Sequence, residues 1–221
     1  MAVDPLRAVL WDFGGVILSS PFEAFNRYEA ANGMPRDFIR SLNATNPDAN
    51  AWARFERNEV GFDEFCGLFE AEARAAGQAI AAREVMPLLA GEVRPAMVTA
   101  VRRCKERGLA TAMLTNNVRS APSVAGGVVG FESGSRHADV LALFDVILES
   151  SKVGVRKPDP RFYLLACDQL GVRPTEAVFL DDLGVNLKPA RELGMRTIKV
   201  VDPAIALKEL EELVGFDLQT G

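Results

Sequence analysis

Histidine occurs once in the 221 residues, cysteine three times, and tryptophan and tyrosine twice each. Three cysteines cannot all pair, and Cys66, Cys104 and Cys167 lie far apart without metal-ligand spacing. A disulfide framework and a thiolate zinc site are therefore not expected, and three buried thiols are. No apolar run approaches the roughly 20 residues that a membrane span needs. Met1 leads within a few residues into a strand, so a soluble, cytoplasmic protein without a membrane partner is expected. An excess of basic residues is also missing: 25 Lys and Arg against 30 Asp and Glu leave a net charge of −5. That balance argues against nucleic acid, which is bound through basic surfaces. A small anionic substrate remains compatible, because a metal ion and backbone amides can hold it locally.

What is present is a chain that is 48% hydrophobic, enough to bury one substantial core and a modest second module. The runs "RAVLWDF", "LATAMLTNN", "DVILES", "AVFLDD" and "RTIKVV" are short, aliphatic and nearly uninterrupted, as suits strands covered on both faces. Helical spacing fills the intervals, as in "RPAMVTAVRRCKERG", "DPRFYLLACDQLG" and "NLKPARELG". Strand and helix alternate from about Arg94, which predicts an α/β fold with a Rossmann-like open parallel sheet. Residues 19–92 break the alternation. Their aromatics recur at helical spacing (Phe22, Phe25, Tyr28; Trp52, Phe55; Phe62, Phe65, Phe69), predicting four or five short helices with their own core. The expected organisation is an α/β core of residues 1–18 and 93–221 with a helical module of residues 19–92 inserted in it. A Gly- and Ser-rich segment over residues 120–140 is too long for a simple turn and is expected to be mobile or functional.

Ligands of open parallel sheets bind beyond the C-terminal ends of the strands. Three predicted strands end in polar residues there: Asp12, then Thr115-Asn116-Asn117, then Asp181-Asp182. A lone Asp after a strand is ordinarily a cap or turn residue, but three such ends on one edge, with Arg156 and Lys157 of "GVRKPDP" between the last two, suit a phosphoryl site. A lysine there would offset the repulsion between a phosphoryl group and a carboxylate nucleophile.

In this order, "VLWDFGGVIL", "AMLTNN", "GVRKPDP" and "VFLDDLGVN" resemble the four motifs of the haloacid dehalogenase-like (HAD-like) hydrolase superfamily. "RPAMVTAVRRCKERGLATAMLTNN" and "VFLDDLGVNLKPARELGM" look more closely like the phosphatase-type N-terminal domain of soluble epoxide hydrolases. The resemblance implies a Mg²⁺-dependent phosphatase acting on a small phosphorylated metabolite. Asp12 would attack phosphorus and form an aspartyl-phosphate. Thr115 and the amide of Asn116 would bind the phosphoryl oxygens, and Lys157 would hold Asp12 and phosphate in register. Asp12, the carbonyl of Gly14 and Asp182 would bind the metal, with Asp181 acting on the metal or its water and Asn186 supporting it from behind.

One position departs from the pattern. Two residues after the nucleophile, most phosphatases of the superfamily carry an Asp that moves the proton; here it is Gly14. Such help is worth about 10²–10⁴-fold in rate, so a slowed or substrate-restricted enzyme is expected rather than an inactive one. A leaving group that needs no proton, an ordered water, or a carboxylate from the helical module, which stands in the position of the superfamily's cap, could compensate. Glu56 is a candidate for the last, although a helical glutamate ordinarily faces solvent. His137 could also protonate a leaving group, although a lone loop histidine is ordinarily incidental. Two alternatives stand beside the phosphatase: a 2-haloacid dehalogenase-type hydrolase using the same Asp12, and a non-catalytic binding module. The first leaves Asp181 and Asp182 as an unexplained cluster of like charge, and the second gives no reason for Asp12, Thr115, Lys157 and Asp182 to occur together.

Overall fold

Residues 4–117 and 137–218 are described by a computed structural model. Most of the Gly- and Ser-rich segment of residues 120–140 lies outside the described residues. The chain opens with β1 (Ala8–Trp11) and a tight turn (Phe13–Ile17), then leaves the sheet for a run of helices: α1 (Phe22–Ala31), α2 (Phe38–Ala44), α3 (Ala51–Glu56), α4 (Phe62–Ala75) and α5 (Ala82–Val85). A 3-10 turn (Met86–Leu89) closes that run. The alternating part follows: α6 (Pro95–Glu106), β2 (Ala110–Thr115), α7 (Ala138–Leu141), β3 (Val146–Glu149), α8 (Ser150–Val153), α9 (Pro160–Leu170), β4 (Ala177–Asp181), α10 (Gly184–Glu192), β5 (Arg196–Lys199) and α11 (Pro203–Val214).

All five expected strands form, in one parallel sheet ordered β3-β2-β1-β4-β5. β1 lies at its centre with all four residues buried, which is why its sequence is apolar throughout rather than alternating. Successive side chains still point to opposite faces. Val9 and Trp11 pack into a layer with Met97 and Val101 of α6 and Leu207 and Leu210 of α11. Ala8 and Leu10 face a second layer with Phe162 and Tyr163 of α9 and Leu187 of α10. The helices start where the sequence supplies caps: the Asp159 carboxylate accepts from Arg161 N–H ahead of α9, and Asp202 accepts from Ala204 N–H ahead of α11, each followed by a proline in the first turn.

The helices α1–α5 pack around a separate core. Phe55 stacks on Phe65 with ring centroids 4.4 Å apart, Phe65 on Phe69 at 5.5 Å, and Trp52 meets Phe65 edge-on at 5.0 Å. Each such ring contributes roughly 1.5–3 kcal/mol by leaving water, so the aromatic stripes serve first as core. The chain departs and returns at one place. Leu18 and Val93 form an antiparallel bridge, Ser19 N–H donates to the Glu92 carbonyl (2.8 Å) and Arg94 N–H to the Ile17 carbonyl (2.9 Å). Gly91 is needed there, since a Cβ would stand 2.6 Å from the Ser19 carbonyl oxygen.

The three cysteines are free and buried, and burial pushes Cys104 up to about 12 and Cys167 to about 11, so neither thiol is a nucleophile near neutral pH. Among the described residues, no helix is long and apolar enough to cross a membrane.

Candidate active site

The parallel register carries β1, β2 and β4 to one edge. Trp11 pairs with Met113 and Leu180, so Asp12, Thr115 and Asp181 emerge side by side. Asp12 N–H still donates to the Leu180 carbonyl (2.9 Å), which fixes the backbone from which its carboxylate projects. Asp12 Oδ1 accepts from Phe13 N–H and from Lys157 Nζ, both at 2.7 Å. Both of these contacts fall on Oδ1, which leaves Oδ2 the oxygen they do not engage.

Lys157 is almost wholly buried and bridges two carboxylates, with Nζ also 2.7 Å from Asp181 Oδ2. Its backbone is clasped by the Asn116 side chain, whose Nδ2 donates to the Lys157 carbonyl (3.0 Å) and whose Oδ1 accepts from Lys157 N–H (2.9 Å). Asp181 is saturated: Leu183 N–H donates to Oδ1 at 2.8 Å and Asn186 Nδ2 reaches both oxygens at 3.0 Å. Asn186 is in turn held through its carbonyl by the Tyr163 hydroxyl (2.7 Å). Asp182 retains free acceptor capacity, its one side-chain hydrogen bond being a long contact from Ser20 Oγ (3.4 Å). Thr115 is buried and lines the cavity wall.

Carboxylate oxygens of Asp12, Asp181 and Asp182 lie within 4.8 Å of one another. Burial pushes Asp12 well above the usual carboxylate range against the pull of Lys157, with Asp181 and Asp182 adding to the rise. Burial and then Asp181 push Asp182 up to about 6. Lys157 is held protonated: burial opposes its charge, and Asp12 and Asp181 outweigh that. Three carboxylates around one ammonium leave net negative charge in a buried place, and hard oxygen donors of this kind suit a divalent cation such as Mg²⁺. Asp12 and Asp182 are the two with acceptor oxygens to spare.

The two glycines after Asp12 differ. Gly15 has φ +86°, and a Cβ there would lie 2.3 Å from Asp182 Oδ2, so the close approach of the two segments requires glycine. Gly14 has φ −74° and ψ 125°, and a Cβ built on it meets nothing within 4 Å. Its side-chain position opens into the cavity, so glycine at 14 is not demanded by the backbone.

A cavity of about 620 Å³ separates this floor from the helical insertion. Phe22, Phe25, Trp52 and Leu89 give its far wall an apolar part beside Arg40, Asn43, Asp48 and Glu56; the stripe residues Phe22, Phe25 and Trp52 thus serve both the helical core and the cavity. Glu56 departs from the expectation of a solvated face. Its Oε2 pairs with Arg156 Nε at 2.7 Å inside the cavity wall, because Ser150 Oγ holds the Glu56 carbonyl (2.8 Å) and Arg156 Nη1 holds the Pro47 carbonyl (2.7 Å). His137 is also buried on the wall, edge-on to Phe13 at 5.5 Å. Gly15, Ser20, Tyr163 and Arg94, which donates to the Gly15 carbonyl (2.9 Å), were not singled out by sequence. The doubled glycine was the one available signal.

The chain is 36% identical over 221 residues to acyl-CoA dehydrogenase family member 10 of Mus musculus, covering 97% of this chain and 20% of that protein. It is 33% identical over 229 residues to bifunctional epoxide hydrolase 2 of Sus scrofa, covering 96% and 40%. It thus spans less than half the length of these two relatives. Similarity to the sesquiterpene phosphatase astK of Aspergillus oryzae, 28% over 211 residues, covers 95% of this chain and 97% of that one. Among solved structures, a HAD family enzyme of Bacteroides thetaiotaomicron in complex with magnesium and inorganic phosphate superposes with a TM-score of 0.58 at 16% identity, over 88% of this chain and 93% of the other. Residues 6–194 match the haloacid dehalogenase-like hydrolase family over their whole length, and the chain belongs to that family.

Proposed function

We propose that this chain is a Mg²⁺-dependent phosphatase that cleaves small phosphorylated metabolites through an aspartyl-phosphate on Asp12. The observation that carries the reading is the pairing of Asp12 with a buried Lys157 at 2.7 Å beside a second, under-bonded carboxylate, Asp182. Bound between Asp12, the Gly14 carbonyl and Asp182, Mg²⁺ would neutralise the charge of the transferring group and polarise its oxygens. Asp12 Oδ2, the oxygen left open, attacks phosphorus while Lys157 holds Oδ1 and fixes its direction. The Thr115 hydroxyl and Asn116 N–H receive the phosphoryl oxygens. Asp181 keeps Lys157 charged and in place, and Asn186 keeps Asp181 from turning. Residues 19–92 act as a cap over the core of residues 1–18 and 93–221, excluding water and selecting the group that departs. The apolar part of the far wall fits an ester with a hydrocarbon body, and the full-length likeness to a sesquiterpene phosphatase supports that fit.

The test is hydrolysis of p-nitrophenyl phosphate and acetyl phosphate with Mg²⁺ and with chelator, beside Asp12→Asn. Metal-dependent turnover that Asp12→Asn abolishes, with the far-ultraviolet circular dichroism unchanged, is expected. Absence of turnover on both activated phosphates would instead favour a binding module.

A further inference from the structure

An in-line displacement sends the leaving oxygen away from the attacking one. Asp12 lies in the floor of the cavity, so the departing oxygen points toward the helical insertion, where a proton must be supplied and Gly14 has none to give. Among the described residues, the acidic ones on the cavity wall are Asp12 and Asp182 in the floor, Asp48, which is exposed, and Glu56. Glu56 ends α3 and is pinned to the core by the Ser150 bond to its carbonyl. Its Oε2 lies 2.7 Å from Arg156 Nε as an ion pair, and neither of these two buried atoms has a hydrogen-bond partner among the described residues. We infer that Glu56 is the proton-transfer group of this enzyme, a carboxylate lent by the helical insertion in place of the one absent at position 14.

The inference rests on the phosphatase reading. In the first step Asp12 Oδ2 bonds to phosphorus, the bond from phosphorus to the leaving oxygen breaks, and the proton on Glu56 passes to that oxygen, releasing an alcohol. In the second, the Glu56 carboxylate takes a proton from water as the water oxygen bonds to phosphorus. The bond from phosphorus to Asp12 breaks, inorganic phosphate leaves, and both carboxyl groups are restored. Burial holds the Glu56 carboxyl above its usual range despite Arg156, Lys157 and Arg57.

The two steps depend differently on the leaving group, and rapid mixing separates them. With Glu56→Gln, p-nitrophenyl phosphate should give a burst of about one equivalent of p-nitrophenol per site, then a steady rate reduced about 10²-fold or more, because only the second step needs the base. A primary alkyl phosphate should show no burst and at least the same loss, because its alkoxide cannot leave unprotonated. Gly14→Asp, placed where a Cβ meets no neighbour, should restore alkyl phosphate turnover in the Glu56→Gln background. Wild-type rates in Glu56→Gln overturn the assignment. So does an equal loss on both substrates without a burst and without rescue by Gly14→Asp, which would mark the Glu56–Arg156 pair as structural; His137→Gln reproducing the burst would move the role to His137. A wild-type protein without turnover on either substrate overturns the phosphatase reading itself, and the role of Glu56 with it.

Discussion

Gly15 is the residue on which the approach of the Asp12 and Asp182 segments depends. Substituting alanine forces a non-glycine residue to φ +86° and brings its Cβ to 2.3 Å from Asp182 Oδ2, costing roughly 1–2 kcal/mol for the backbone alone. Gly15→Ala should therefore lower the melting temperature and weaken Mg²⁺ binding by calorimetry, while Gly14→Ala changes neither. Equal effects at the two positions would refute the distinction. At this scale the sequence was informative where chemistry follows from position along a strand. Asp12, Thr115 and Asp181 each terminate an apolar run, and a parallel sheet brings such ends to one edge whatever lies between them. Gly15 was missed because its constraint is set by Asp182, far along the chain. Glu56 was weighed as solvent-facing because its burial comes from Arg156 and Ser150, which no local pattern announces.

Between elements, β2 and β3 are joined by more than their ladder. Pairing starts at Ala112 with Val146, and just ahead of it the Asp145 carboxylate accepts from Thr111 N–H (2.9 Å) and Thr111 Oγ1 (3.1 Å) while Lys105 Nζ lies 2.8 Å from its other oxygen. The side chain supplies a missing rung to a fully buried threonine. Asp145→Ala leaves that N–H unsatisfied and should cost about 1–3 kcal/mol in urea unfolding; a loss below about 0.5 kcal/mol would show that the rung is dispensable. Burial raises the Asp145 carboxyl, yet the hydrogen bonds from Lys105 and Thr111 outweigh it and hold the group below its usual range. Its contribution is thus complete above an unfolded pKa of roughly 3.9 and fades as pH falls through the lower folded value. Stability of the wild type should accordingly fall more steeply below about pH 4 than that of Asp145→Ala. All five strands were legible because each is a short apolar run between turn residues. The side-chain rung was not, since Asp145 reads as an ordinary turn residue ahead of β3.

Across the whole molecule, the cavity of about 620 Å³ has a polar floor from strand ends and a far wall with an apolar part from α1, α3 and the turn at Leu89. If that wall receives the ester's body, KM for straight-chain alkyl phosphates should fall with each added methylene, by up to about fourfold for full burial at ~0.8 kcal/mol. Phe22→Ala should flatten the series while leaving the rate on acetyl phosphate, which does not reach the wall, within a factor of about two by the same area argument. A KM independent of chain length would remove the hydrocarbon body from the proposed substrate. The run of helices α1–α5 was legible from the break in strand–helix alternation after Ser19. Which of its faces meets the floor was not, because that depends on the angle at which the helices return to the sheet.

The bridge between Leu18 and Val93 joins the two linkers at the point where the insertion begins and ends. Seen from the sheet, everything between them is one closed loop, and the entropy of closing a loop grows only with the logarithm of its length. A longer, shorter or wholly different set of helices could be spliced between the same two residues at little cost to the strands that carry Asp12 and Asp181. The sheet edge proposed as catalytic and the helices proposed to choose the substrate can therefore diverge separately, as interchangeable cassettes on a fixed socket.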